Sequence, residues 1–207
     1  MLEQDPKNLW KRYGNKVAAL ILVILIIVIG FQYSHYRANH NNVQAAEMYQ
    51  KMMLIAQAPQ PNDSTIQQQA NQITSLYPSS IYATFSAWES AKIAVQNNQL
   101  DQAEQILSAA MKNSDDVNAK AITQLRLARV QLSQNQTQLA IDTLNQINNG
   151  GFAVMRDMLL GDAYIQQQNP TQAKAVWAQA LALAQQQDMS DAQSILQMKL
   201  ANLNTQS

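Results

Sequence analysis

The chain has 207 residues and no formal net charge, with 47% hydrophobic residues, only 14% charged ones and no cysteine. There is no surplus of cations to build a nucleic-acid-binding face, and no thiol for a disulfide framework or for cysteine chemistry. Few glycines and prolines and abundant Ala, Leu and Gln favour helix, and about 170 residues after the first apolar run suffice for one well-cored domain.

Residues 1–16 form a short basic start. Val17–Ser34 then carries no charge at all. Eighteen helical residues rise about 27 Å, close to the hydrocarbon thickness of a bilayer. Trp10 and Tyr13 precede the run and Tyr33 and Tyr36 follow it, where an aromatic belt would lie. A buried core helix would have no use for these flanks. A cleaved signal peptide would need a small-x-small site, which FQYSHYRANH lacks. The run reads as a retained transmembrane helix. Lys7, Lys11, Arg12, Lys16 and Arg37 stand against Glu3 and Asp5, a net +3 over residues 1–37, and four of the five cations precede the helix. The positive-inside rule keeps that end in the cytoplasm and sends the remainder, net −3, across the membrane. The expected layout is a cytoplasmic N-terminus (1–16), the anchor (17–34), a juxtamembrane linker (35–42) and a helical domain (43–207).

Within that domain helices are expected in series. Val43–Gln57 stops before Pro59 and Pro61. Ser64 with Gln67 forms a capping box for a helix ending at Tyr77, before Pro78. Ser80 caps Ile81–Gln96, and Asn97-Asn98 turns the chain into Leu100–Lys112. Ser114 with Asp115 and Asp116 opens a helix that ends near Ser133. Leu139–Ile147 follows and stops at Asn148-Asn149-Gly150-Gly151. Ala153–Gln167 comes next. Asn169-Pro170 opens another helix, with an Asn cap and Pro at the first helical position, and Ser190 with Gln193 caps a last one, Asp191–Asn202. The many Gln and Asn residues, spaced between apolar ones, read as solvated helix faces.

The helices repeat. Align Ala91, Ala128 and Gly161. Twelve residues on stand Ala103, Ala140 and Ala173; four further, Leu107, Leu144 and Trp177; three beyond those, Ala110, Ile147 and Ala180. The units are offset by 37 and 33 residues. Small residues facing each other let two helix backbones pack closely, with a large residue filling the gap to the next pair. These units resemble tetratricopeptide repeats, carried most fully by Leu160-Gly161, Tyr164, Ala173, Trp177 and Ala180. The two earlier units lack the aromatic that Tyr164 supplies, and residues 43–77 read as a further, degenerate pair. The expected fold is all-α: one transmembrane helix followed by a tetratricopeptide-like α-solenoid of paired antiparallel helices.

Over its whole length the chain resembles the YfgM-like family of ancillary SecYEG translocon subunits. The order of features carries the likeness, together with LRLARVQ at Leu125–Gln131 and QMKLANL at Gln197–Leu203. The resemblance implies a single-pass bacterial inner-membrane protein with a periplasmic repeat domain. Its implied partners are the SecYEG translocon, a PpiD-like membrane-anchored periplasmic chaperone and unfolded exported proteins.

Catalysis is not expected. His35 and His40 lie beside the anchor, and no Ser–His or Cys–His pairing exists in the repeat domain. Asp115/Asp116 and Asp188/Asp191 could be paired carboxylates, but helix capping accounts for them. Gly150-Gly151 lacks the Lys-Ser/Thr of a phosphate loop. No metal and no cofactor are expected.

Binding remains. First helices line the concave side of such a solenoid, and their inward stripe holds Phe85 and Trp88, Ile122 and Leu125, Met155 and Met158, with Lys92, Arg129 and Asp162 one turn on. The stripe is a candidate groove for a client or partner segment, with flexible Met suited to varied shapes. The competing reading is ordinary core, covered by neighbouring pairs or by the C-terminal helix. The electropositive clamp that some tetratricopeptide domains use on carboxylates is not expected, with only Lys92 and Arg129 available. The leading function is a tethered translocon accessory that recruits a chaperone or handles exported chains. The alternative is a scaffold or regulator of envelope assembly or stress signalling bound to one partner.

Overall fold

The computed structural model describes residues 22–29 and 41–204, in two units, Met1–Gln44 and Ala45–Ser207. In the first, 22–29 is helical and its Leu, Val and Ile side chains are 48–64% exposed. The rest of the expected anchor, 17–34, lies outside the described residues, as do 1–16 and 35–40. Among the described residues no helix is long and apolar enough to cross a membrane.

The second unit is a run of helices: α1 (41–56, in this unit from Ala45), α2 (Asp63–Leu76), α3 (Ile81–Gln96), α4 (Leu100–Asn113), α5 (Val117–Ser133), α6 (Thr137–Asn145), α7 (Ala153–Gln166), α8 (Pro170–Gln186) and α9 (Ser190–Asn204). The expected helices are all present, and the differences lie at their ends. Asn62, not Ser64, caps α2, its side chain accepting from Thr65 N at 3.0 Å. Asn62, two residues upstream, holds the extended cap backbone from which its side chain reaches the free amide, while Ser64 Oγ donates back to Asn62 Oδ1. Asp116 itself caps α5, bonding Asn118 N and Ala119 N at 2.9 and 2.7 Å, and Ser114 ends α4 instead. Gly150-Gly151 is no helix stop, because α6 has already ended at Asn145. The pair forms a 3-10 turn, Gly150–Phe152, capped by Asn149, that leads into α7. Ser80 and Asn169 cap α3 and α8 as the sequence indicates, accepting from Tyr82 N and Gln172 N.

Four turns share one geometry. Asn98, Asn135, Gln168 and Asp188 are left-handed, with φ of 58, 61, 58 and 54°. The next residue's N–H reaches back into the preceding helix: Gln99 to Ala94 O, Gln136 to Gln131 O, Asn169 to Tyr164 O and Met189 to Ala184 O, all at 2.8–2.9 Å. This six-to-one bond satisfies carbonyls that a helix end leaves free. The first three left-handed residues are spaced by the same 37 and 33 positions as the repeat, so the turn is part of the repeating unit.

All twelve aligned repeat positions are buried, which fixes the register. The core is a chain of clusters, each sealing one pair with the next first helix. Ala91, Ala103, Leu107, Leu127 and Val130 join α3, α4 and α5. Leu125, Ala128, Ala140, Leu144 and Leu160 join α5, α6 and α7; Val154, Ala173, Trp177, Ala180 and Leu196 join α7, α8 and α9. Beyond sequential neighbours, α3 meets α5 and α5 meets α7, a closer approach than that between the second helices of successive pairs. Closer spacing among the first helices curves the stack towards them.

Glutamines bind the repeats to one another, so the expectation that they only solvate helix faces is corrected. Gln134 Nε2 donates to Asp101 Oδ1 at 2.7 Å, and Gln167 Nε2 to Gln138 Oε1 at 3.2 Å, the same two register positions one unit on. Buried Gln131 accepts from Thr143 Oγ1 at 2.9 Å. Gln166 Nε2 reaches Leu132 O and Asn135 Oδ1 across the α5–α6 turn. An uncharged amide offers both donor and acceptor at these joints without the desolvation cost of a charge.

Candidate functional site

The nine candidate residues separate into three groups. On α3, half-buried Phe85 and Trp88 continue a row of rings, with Tyr82–Phe85 centroids 6.1 Å and Phe85–Trp88 centroids 5.1 Å apart. Tyr49 of α1 packs against Tyr82 and Phe85 at 5.7 and 6.0 Å. Burial, and secondarily Glu89, raise the Tyr49 hydroxyl above its ordinary pKa. On α5, Leu125 is only 4% exposed and belongs to the interior between α5, α6 and α7, whereas Ile122 is half-buried. On α7, Met155 is exposed and Met158 packs against the α7–α8–α9 cluster. Asp162 pairs with Lys199 of α9 at 2.5 Å, and Lys199 Nζ lies 5.1 Å from the Trp177 ring centroid. The C-terminal helix therefore covers the far end of the stripe, while Trp88 at the near end has other neighbours.

Trp88, Lys92 and Arg129 meet in a cavity of about 250 Å³ between α3, α4 and α5. Ala91, Val95, Leu100, Leu107 and Val130 give it an apolar lining. Trp88 is held by its indole N–H, which donates to the buried Thr123 hydroxyl at 2.9 Å; that hydroxyl in turn donates to Ala119 O at 2.7 Å. Arg126, which the sequence reading did not single out, completes the rim with its guanidinium 4.6 Å from the Trp88 ring centroid. The view that only Lys92 and Arg129 were available here is thus corrected: three cations converge. Packing against the indole strips water from Arg126 and lowers its pKa. Glu89 opposes that shift and Arg129 adds to it. Lys92 pairs with Glu89 on its own helix at 3.1 Å. Neither guanidinium has a salt bridge among the described residues.

The repeat register contained the missing signal. Lys92, Arg129 and Asp162 occupy one aligned position, and Glu89 and Arg126 occupy another one turn back, so the register places three cations and one carboxylate on the adjacent first helices α3 and α5. A second cavity, of about 260 Å³, lies between α2, α3 and α4, lined by Ala70, Ala83, Ala87, Ser90 and Ala110 among others. Ser90 stands where the following units have Leu127 and Leu160, and its buried hydroxyl has no hydrogen-bond partner among the described residues. Among the described residues, no three His, Cys, Asp or Glu come together as a metal cluster would require.

Comparison with known proteins places this geometry. The model of the tetratricopeptide repeat-like domain family matches residues 7–205. A protein of Haemophilus influenzae named ancillary SecYEG translocon subunit is 28% identical over 200 residues, 95% of this chain and 93% of its own. Proteins of the same name from Escherichia coli and Neisseria gonorrhoeae are 26% and 27% identical, covering 98% and 95% of this chain and 97% and 93% of their own. The likeness runs through the apolar run, the repeats and α9 alike. The chain belongs to the tetratricopeptide repeat-like domain family, in its YfgM-like branch.

Proposed function

We propose that the chain is a membrane-anchored protein-interaction module that serves as an ancillary subunit of the SecYEG translocon. Residues 17–34 hold it in the bacterial inner membrane with the repeat domain on the periplasmic side. There the first-helix face, Phe85, Trp88, Lys92, Ile122, Arg129, Met155 and Met158, meets a PpiD-like chaperone or an exported chain. Leu125 and Asp162 support that face from inside and from its α9-covered end. The observation that carries this reading is likeness to three proteins named ancillary SecYEG translocon subunits over at least 95% of this chain. The exposed apolar row at 22–29 supports the anchor, since such a surface is favourable only in an apolar surround. Tethering raises effective concentration, so individual contacts can be weak and still be occupied.

Crosslinking in intact membranes followed by purification of the chain tests the reading. SecYEG and a PpiD-like chaperone should be recovered together. Recovery of a single unrelated envelope protein would overturn it in favour of a scaffold or regulator.

A further inference from the structure

The cavity between α3, α4 and α5 has a definite chemistry. Its lining is aliphatic apart from the Trp88 face, Gln96 and Ser133, and it carries Lys92, Arg126 and Arg129, with one carboxylate, Glu89, beside Lys92. Glu89 pairs with Lys92 and its charge also acts on Arg126, so one carboxylate is shared among three cations and an excess of two positive charges remains among the described residues. Like charges held close are relieved by an incoming anion, and a planar guanidinium favours a carboxylate. The apolar lining asks for something else, a compact group without polarity. At about 250 Å³ the cavity is below the roughly 300–1,000 Å³ typical of pockets that enclose whole small molecules. It suits one or two side chains.

We propose that this cavity takes an apolar side chain of a partner polypeptide, with acidic residues on either side of it bonded to Arg126 and Arg129. The inference rests on the reading of the first-helix face as an interaction surface and names what part of that face selects. One terminal carboxylate would leave half of the excess positive charge unmatched, so side-chain carboxylates within a segment are the better complement. Trp88 and Arg126 act together: the indole, fixed by Thr123, holds the guanidinium at the rim, so little ordering is left to be done on binding.

The test uses the full chain in detergent micelles and short fluorescein-labelled, C-terminally amidated peptides, read by fluorescence anisotropy. A Glu-Glu-Leu-Glu-Glu core should bind about tenfold or more tightly than Gln-Gln-Leu-Gln-Gln or Glu-Glu-Gln-Glu-Glu, and added salt should weaken it. The double variant Arg126→Gln with Arg129→Gln should lose that preference. Val95→Glu, at an exposed position of the lining, should weaken acidic-peptide binding without unfolding the domain, as checked by circular dichroism. Four results would overturn the proposal: equal binding of the Glu and Gln peptides, no effect of either variant, binding only by a free-acid peptide with neutral side chains, or binding of myristate but no peptide. The two proposals fail separately. A chain that captures SecYEG but ignores the acidic peptide refutes the pocket alone, and one that binds the peptide in this pattern but yields no SecYEG refutes the translocon role alone.

Discussion

Trp177 occupies the space where Gly161 would have a side chain. A Cβ there would fall within 2.3 Å of the indole Cδ1, and the indole N–H donates to Met158 O at 3.0 Å on the same helix, α7. The other units solve the same contact differently, with Ala91 against Leu107 and Ala128 against Leu144. A larger wedge requires a smaller socket. Gly161→Ala should therefore lower the thermal unfolding midpoint, because overpacking of about 1–3 kcal/mol outweighs a gain in helix propensity of about 1. Trp177→Leu alone should cost about 2 kcal/mol or more through the cavity it leaves. The double variant, which copies the Ala128–Leu144 pairing, should recover much of the combined loss, and a double-mutant cycle measures it.

Gln168 is the left-handed residue least suited to its turn, since Asn and Asp tolerate that region better than Gln. Gln168→Gly should raise stability by about 1 kcal/mol, and Gln168→Val should lower it by more. Urea unfolding of the two variants against the parent chain decides this. The same Gly substitution at Asn98 should give a smaller gain.

Ser90 tests the cavity between α2, α3 and α4. Ser90→Ala removes a buried hydroxyl without a hydrogen-bond partner among the described residues and improves helix propensity, so a gain of about 1 kcal/mol is expected. Ser90→Leu, which copies Leu127 and Leu160, should be stabilising or neutral if the cavity accepts the added carbons. Denaturation midpoints and a crystal structure of the variant would report it.

The raised pKa of Tyr49 sets a direction for alkaline stability. Above the ordinary tyrosine value of 10.0 the unfolded chain loses this proton while the folded one keeps it, so folding stability falls as pH rises through that window. Tyr49→Phe removes the linkage. The stability of the parent relative to Tyr49→Phe should decline with each step above pH 10, and should be flat between pH 7 and 9. Urea titrations of both proteins across that range measure the difference.

The helices and their register were legible because each has a local cause. Pro78 and Pro170 mark boundaries, Ser80 and Asn169 cap, and the small–large spacing from Ala91 to Ala180 fixes which faces meet. Sub-turn details were less legible: Asn62 outcompetes Ser64 because cap choice depends on φ and ψ at one residue, which no periodicity encodes. The candidate site was half readable. Trp88, Lys92 and Arg129 do converge, but Arg126 was missed because its role arises only when α3 and α5 are laid side by side. Leu125 shares the stripe of Ile122, yet the wider contact between α5, α6 and α7 takes it into the interior. The glutamines were misread because a solvated amide and one that bridges two helices are identical in sequence, and only the neighbouring helix distinguishes them.

A photoreactive side chain placed in turn at Met155, on the first-helix face, and at Leu139, exposed on α6 of the opposite face, compares the two surfaces in intact membranes. Irradiation should give adducts with a SecYEG subunit or a chaperone at its side from Met155 and none from Leu139. Adducts from Leu139 alone, or none with the translocon or its neighbours from either position, would contradict the assignment of the first-helix face to partner binding at the export channel.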